Sequence, residues 1–66
     1  MSPEQFAMRL KRLREQQGLT QEALAKKAGI SRAYLARLEM GRHDPHLSRL
    51  RKLAKALGVS AAELLE

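Results

Sequence analysis

The sequence predicts an all-α fold in which five short helices pack into one compact bundle. Apolar side chains recur at spacings of three and four residues along most of the chain, which is the period of helices with one buried face. Four glycines follow the apolar stretches, at positions where glycine commonly ends a helix. Hydrophobic residues make up 44% of the chain and aromatic residues only 3%. We therefore expect an aliphatic core and one domain over residues 1–66.

The first helix is predicted to begin at Ser2 and Pro3 and to end before Gly18. Serine suits the N-cap, proline suits the first helical position, and Gln5 completes a capping box three residues after the serine. Glycine at the far end suits the position after the helix, where φ is positive. The apolar face of this helix consists of Phe6, Leu10 and Leu13.

The second and third helices are predicted by serine and threonine caps and by glycine stops. Thr20 precedes the second helix, and Glu22 in its first turn suits the positive end of the helix dipole. Gly29 ends this helix, Ser31 caps the third helix, and Gly41 ends the third. The buried positions are predicted to be Leu24, Ala25, Ala28, Leu35 and Leu38.

The last two helices follow the same rules. Asp44 and Pro45 predict the start of a fourth helix by a cap followed by a proline, and Gly58 predicts its end. Ser60 and Glu63 form a capping box for a short fifth helix, which carries Leu64 and Leu65. The buried stripe of the fourth helix is predicted to consist of Leu47, Leu50, Leu53, Ala54 and Leu57.

Composition limits the function classes that remain. Thirteen Lys and Arg against seven Asp and Glu give a net charge of +6, which attracts polyanions such as nucleic acid or an anionic membrane; ordinary surface solvation is the alternative. The absence of cysteine excludes disulfides, thiolate zinc sites and thiol catalysis. No apolar run approaches the ~20 residues of a membrane span, and no signal peptide is evident. We expect a cytoplasmic protein without a membrane partner.

No constellation of residues indicates an enzyme, a cofactor or a small-molecule ligand. Paired carboxylates, a nucleophile beside a base and a phosphate-binding glycine loop are all missing from the sequence. His43, Asp44 and His46 include possible metal ligands, but a proline lies among them and no further ligands are nearby. We interpret this segment as a loop and predict no metal site.

The segment 20–39 carries the strongest functional signal. Two helices joined through Gly29 must cross steeply to share a core, and glycine adopts the positive φ of such a turn without steric cost. Apolar residues on both sides, including Ile30, are expected to fill the inside of the corner. The outward face of the second helix of the pair carries Arg32, Ala33, Ala36 and Arg37, with the polar tip of Tyr34 beside them. The major groove of DNA, ~12 Å wide, admits one such helix.

Three runs of residues resemble the phage repressor and Cro family, often called XRE-type. They are residues 19–31 (LTQEALAKKAGIS), residues 32–42 (RAYLARLEMGR) and residues 53–60 (LAKALGVS). The resemblance extends from about Phe6 to Leu65. It is specific, because the apolar, small and polar positions all agree with the family pattern at once. It implies a lambda-repressor-like fold with helices two and three as the helix-turn-helix.

The resemblance also implies roles for individual residues. Gln21 would bind a phosphate and brace the next helix, and Arg42 would contact the backbone from the loop after the third helix. Arg14 and Glu39 would form an ion pair beneath the recognition helix. The implied DNA-binding residues are Thr20, Gln21, Ser31, Arg32, Ala33, Tyr34, Arg37 and Arg42. Two positions depart from the family pattern: Met40 replaces a common asparagine, and Tyr34 is bulkier than the usual small polar residue.

Each assignment has an alternative. Arg32 and Arg37 are also compatible with solvated surface charges, and Gln21 with an ordinary residue of a first helical turn. Tyr34 either contacts a thymine methyl or a phosphate, or packs its ring on a neighbouring helix. The Arg14–Glu39 pair is expected to be structural, since a partly buried ion pair orients what it joins.

The sequence therefore favours a transcriptional regulator that binds double-stranded DNA sequence-specifically. We expect a repressor that occupies a near-palindromic operator as a homodimer, because one reading helix covers too few bases to find its site alone. The pairing surface is expected near Val59, Leu64 and Leu65, as a weak dimer that DNA stabilises. The alternative is an antitoxin that binds a toxin and also DNA; the few residues outside the helices favour the plain DNA-binding protein.

Overall fold

A computed structural model describes residues 2–65 of the chain. The helices are α1 (Pro3–Gln16), α2 (Gln21–Ala28), α3 (Arg32–Glu39), α4 (Leu47–Leu57) and α5 (Ala61–Leu65). This order confirms the prediction of an all-α fold with five helices. None of the helices in residues 2–65 is long and apolar enough to cross a membrane.

Four of the helices begin at residues whose side chains cap the first turn. The hydroxyls of Thr20 and Ser31 accept backbone N–H groups from the first turns of α2 and α3, each at 3.0 Å. Ser2 with Gln5 and Ser60 with Glu63 form reciprocal capping boxes at the starts of α1 and α5. These contacts confirm four of the five predicted caps, and each satisfies backbone donors that a helix start leaves free.

Gly29 makes the turn between α2 and α3 with φ +72°. The N–H of Ile30, which follows it, donates to the carbonyl of Ala25 at 3.0 Å, so the reversal keeps its backbone satisfied. Gly41 follows α3 with φ +79°, and a Cβ added there would lie 3.3 Å from the Cα of Glu4. Gly41 is thus required both by its conformation and by the close approach of α1.

The predicted start of α4 is wrong by two residues. The helix begins at Leu47, and its N-cap is His46, whose side chain makes no capping bond. The N–H of His46 instead donates to the hydroxyl of Tyr34 at 3.3 Å, which holds the segment before Leu47 outside the helix. As the first residue of the helix, Leu47 lies at the edge of the bundle and is 60% exposed rather than buried.

The core is aliphatic with one aromatic ring, as the composition predicted. α2 packs against both α3 and α4, α1 packs against α3 and α5, and α5 also packs against α4. The largest fully buried side chains are Phe6, Leu10, Leu24, Leu35, Leu38, Leu53 and Leu64.

The end of the described chain requires a correction. Leu64 was expected at a pairing surface together with Val59 and Leu65, but it is fully buried in the core of the chain. Val59 is half-buried against the same core, and Leu65 is 42% exposed. A helix of five residues cannot turn all its apolar side chains inward, and of its two leucines the outward one is Leu65.

Candidate nucleic-acid interface

The outward face of α3 is the candidate reading surface. Leu35 and Leu38 anchor the opposite face in the core, where both are fully buried. With those two positions fixed inward, the helical period turns Arg32, Ala33 and Arg37 to the surface, where all three are exposed. The structure therefore brings these predicted site residues onto one face of one short helix.

A buried ion pair fixes α3 to α1. Arg14 donates from Nε to Oε2 of Glu39 at 2.8 Å and from Nη2 to Oε1 at 2.9 Å. The side chains of the two residues are 10% and 4% exposed, respectively. Such a two-pronged contact between guanidinium and carboxylate sets the direction of both groups. The ion pair expected from the resemblance is thus present, with Arg14 on α1 and Glu39 at the end of α3.

The same pair also reaches α2. Arg14 Nη1 donates to the carbonyl of Leu19, just before α2, at 2.7 Å. Gln21 Nε2, in the first turn of α2, donates to Glu39 Oε1 at 3.1 Å. One polar network therefore joins α1, α2 and α3. Gln21 braces the recognition helix, as the resemblance implied.

The hydrogen bond to Glu39 raises the pKa of Arg14 above its ordinary value, although burial opposes this. A cationic group with a raised pKa stabilises the fold at every pH below its ordinary pKa, and the stabilisation disappears only as the pH rises past the raised value. The guanidinium therefore remains charged at neutral pH, and the contribution of Arg14 is fully present there.

A polar cleft of about 410 Å³ lies where the starts of α2 and α3 face each other. Its lining comprises Arg14, Thr20, Gln21, Glu22 and Arg32. The positive end of the α2 dipole and the guanidinium of Arg32 favour an anion there, whereas the carboxylate of Glu22 opposes one. Glu22 was not predicted as a site residue; its place directly after Gln21 is the signal that could have found it.

Tyr34 lies between α3 and the start of α4. Its hydroxyl accepts the N–H of His46, and the guanidinium carbon of Arg49 lies 5.2 Å from the centre of its ring. Such a cation–ring contact is mildly stabilising. These contacts match the alternative in which the ring packs on a neighbouring helix. They also bring the exposed Arg49 of α4 beside α3, a contact that the sequence reasoning missed because it joins distant segments.

Arg42 lies in the exposed loop that connects α3 to α4, and its contact with the DNA backbone stays a prediction. Met40, at the C-cap of α3, is also exposed. His43, Asp44 and His46 follow in the same loop. Within the described residues, no group of three or more His, Cys, Asp or Glu side chains is placed to hold a metal ion.

This architecture, with a glycine turn between two short helices and a basic face on the second, defines a helix-turn-helix. The family model described as helix-turn-helix matches residues 10–64. The chain therefore belongs to the helix-turn-helix family of DNA-binding transcriptional regulators.

Two curated relatives carry regulatory names. The chain is 50% identical over 54 residues to the HTH-type transcriptional regulator y4dJ of Sinorhizobium fredii, covering 82% of this chain and 70% of the relative. It is 44% identical over 57 residues to the immunity repressor protein of Bacillus phage phi105, covering 86% of this chain but only 40% of the repressor. These relatives are regulators rather than enzymes.

Solved structures show the same fold. The restriction-modification controller protein C.AhdI from Aeromonas hydrophila superposes with a TM-score of 0.90 at 39% identity, covering 94% of each chain. SinR, a master regulator for biofilm formation solved in complex with DNA, superposes with a TM-score of 0.88 at 32% identity. That match covers 92% of this chain and 98% of SinR.

Proposed function

We propose that this protein is a transcriptional repressor that binds a near-palindromic operator as a homodimer. The observation that carries the proposal is the exposed face of α3, on which Arg32, Ala33 and Arg37 project outward while a buried ion pair fixes the helix. A rigid helix with a basic outer face suits the major groove. Similarity to a phage immunity repressor supports repression as the outcome.

The residues divide into base readers and backbone anchors. Arg32 and Arg37 lie on the outward face of α3 and are proposed to contact base edges. Gln21, at the start of α2, and Arg42, in the loop after α3, are proposed to contact phosphates on either side. Thr20 and Ser31 cap the two helices, so their neighbouring backbone N–H groups complete the phosphate contacts. The ring of Tyr34 lines the edge of this surface.

Selection of bound duplexes from a random pool would test the proposal. Against the selected site, Arg32→Ala and Arg37→Ala are each expected to cost about 1–3 kcal/mol of binding free energy and to relax the preference at one or two base positions. Arg42→Ala is expected to weaken binding to all sequences alike, because a phosphate contact carries no base information. Lys11→Ala, on the exposed side of α1, serves as the control.

The readout is the sequence preference and not affinity alone. If Arg32→Ala and Arg37→Ala reduced affinity equally for selected and random duplexes, α3 would not be the reading helix. If the pool yielded no preferred sequence for the wild type, specific operator binding would be wrong as a whole.

The homodimer is proposed to pair through Leu65 and the exposed part of Val59. The exposed apolar area at this end is small compared with the ~1,200–2,000 Å² that stable interfaces bury. We therefore propose a weak dimer in solution, which a duplex with two half-sites one helical turn apart, ~34 Å, stabilises.

Sedimentation with and without a palindromic duplex would test this pairing. Leu65→Glu is expected to abolish cooperative loading of two copies, because it places a charge in an apolar contact. Met8→Glu changes an apolar residue on α1 that is more exposed than Leu65, 65% against 42%, and should leave loading unchanged. Cooperative loading by the Leu65→Glu variant would place the interface elsewhere.

A further inference from the structure

The outward face of α3 has an ordered chemical pattern. An α-helix turns about 100° per residue, so relative to Arg32 the side chain of Ala36 lies at about 40°, Ala33 at about 100° and Arg37 at about 140°. Leu35 and Leu38 lie on the opposite side and are fully buried. Ala33 is exposed and Ala36 is half-buried beside it, so the face presented to DNA has two methyl groups in its centre and one guanidinium at each edge.

We propose that this face reads an operator half-site in which two guanines flank a central stretch that presents thymine methyl groups. This inference rests on the proposed function, since it assumes that α3 enters the major groove. It goes further by assigning a chemical class of base to each of the four outward positions: guanine to Arg32 and Arg37, and thymine to Ala33 and Ala36.

The chemistry of the side chains determines the assignment. Arginine donates two parallel hydrogen bonds to O6 and N7 of guanine, the commonest specific contact in the major groove. Alanine offers only a methyl group, which packs against the C5-methyl of thymine. An adenine or cytosine amino group facing that methyl would lose its bond to water without a replacement, and this costs binding energy.

The two alanines also bring the helix close to the bases. A small side chain at the centre of the face lets the backbone of α3 approach the groove floor, while the long arginines at the edges reach outward. Along the helix axis, Arg32 and Arg37 lie about 7.5 Å apart. Base pairs are spaced about 3.4 Å apart, so we expect at least one base pair between the two guanines.

The neighbours of this face support the assignment. Arg32 is exposed at one edge of the face, so its guanidinium is free to reach a base edge. The hydroxyl of Tyr34 already accepts the N–H of His46, and its ring lies beside Arg49. Tyr34 is therefore held towards α4, away from the centre of the face.

Base analogues in the selected duplex would test the readout position by position. Replacing a central thymine by uracil removes only the C5-methyl, and we expect affinity to fall about fourfold for each contacted methyl, the equivalent of about 0.8 kcal/mol. Replacing a flanking guanine by 7-deazaguanine removes the N7 acceptor. There we expect a loss of roughly fivefold or more.

Matching protein variants would link each base to its residue. In Ala33→Gly or Ala36→Gly the contacting methyl is absent, so the uracil penalty is expected to vanish at one thymine and persist at the other. Circular dichroism would verify that these variants fold, since glycine weakens a helix. Ala62→Gly, at an exposed position of α5, should weaken its helix without changing either uracil penalty.

The outcomes separate the inference from the proposed function. If the uracil duplexes bound as tightly as the thymine duplex at every central position, the readout would be overturned while DNA binding stood. A selected half-site without flanking guanines would overturn the arginine assignments. Failure to select any preferred duplex would instead remove the proposed function on which the inference rests.

Discussion

Replacing Arg14 with methionine isolates what the buried ion pair does for the fold. Methionine keeps most of the apolar volume of the arginine stem and removes the guanidinium. Glu39 would then keep its charge with its side chain only 4% exposed and would lose both hydrogen bonds from Arg14. Its remaining donor would be the amide of Gln21. The carbonyl of Leu19 would also lose its bond.

The expected loss is large on the scale of this domain. Removing one partner of a buried pair costs about 3–5 kcal/mol, because an uncompensated charge stays in the interior. Domains of this size have a total unfolding free energy of roughly 3–10 kcal/mol, at ~0.05–0.15 kcal/mol per residue. Each kcal/mol shifts the melting temperature of a small domain by about 4–8 °C. We therefore expect Arg14→Met to melt at least ~12 °C below the wild type.

The double variant Arg14→Met with Glu39→Met separates pairing from burial. It removes both charges. Replacing a complete buried ion pair with apolar residues often leaves the stability of the fold unchanged or increases it. We expect the double variant to recover more than half of the loss, the remainder arising from the carbonyl of Leu19. Arg12→Met, an exposed change on the same helix, should stay within ~0.5 kcal/mol of the wild type.

Urea unfolding followed by circular dichroism would measure all four proteins. Equal stability of Arg14→Met and Arg12→Met would show that the pair contributes nothing. A double variant no more stable than Arg14→Met would show that the loss arises from packing and not from an unpaired buried charge.

Three further results are expected. Gly29→Ala should destabilise by about 1–2 kcal/mol from its positive φ alone, and Gly41→Ala by more, because its Cβ also meets Glu4 at 3.3 Å; comparable urea midpoints for the two would contradict this. Tyr34→Phe should cost about 0.5–1.5 kcal/mol and speed hydrogen exchange at the His46 amide, and unchanged exchange would argue against the bond. Log affinity for DNA should fall with log salt by ~0.9 for each phosphate contacted, whereas salt-independent binding would exclude backbone contacts.

Local rules predicted most of the fold. The caps at Thr20 and Ser31 and the glycine stop at Gly29 act within a few residues, and the structure contains each of them. The inward positions of α3 also follow from spacing alone, since Leu35 and Leu38 must share one face. Sequence reasoning succeeds here because the residues that determine each of these features lie within a few positions of it.

The wrong or missing predictions concern features that depend on contacts between residues far apart in the sequence. Asp44 and Pro45 form a sound helix start, but the hydroxyl of Tyr34 binds the backbone of His46 and delays α4. Arg49 was missed for the same reason, since its contact with the Tyr34 ring crosses from α4 to α3. Spacing along one helix carries no information about which other helix packs beside it.

The polar network gives a physical reason for a charged pair in so small a core. An apolar pair would serve stability at least as well, so stability alone does not account for Arg14 and Glu39. Apolar contacts have no direction, whereas the carboxylate of Glu39 accepts from Gln21 on α2 and from Arg14 on α1 at fixed angles. The start of α2 is thereby set against the end of α3. The proposed division of phosphate contacts on α2 and base contacts on α3 requires that fixed relation.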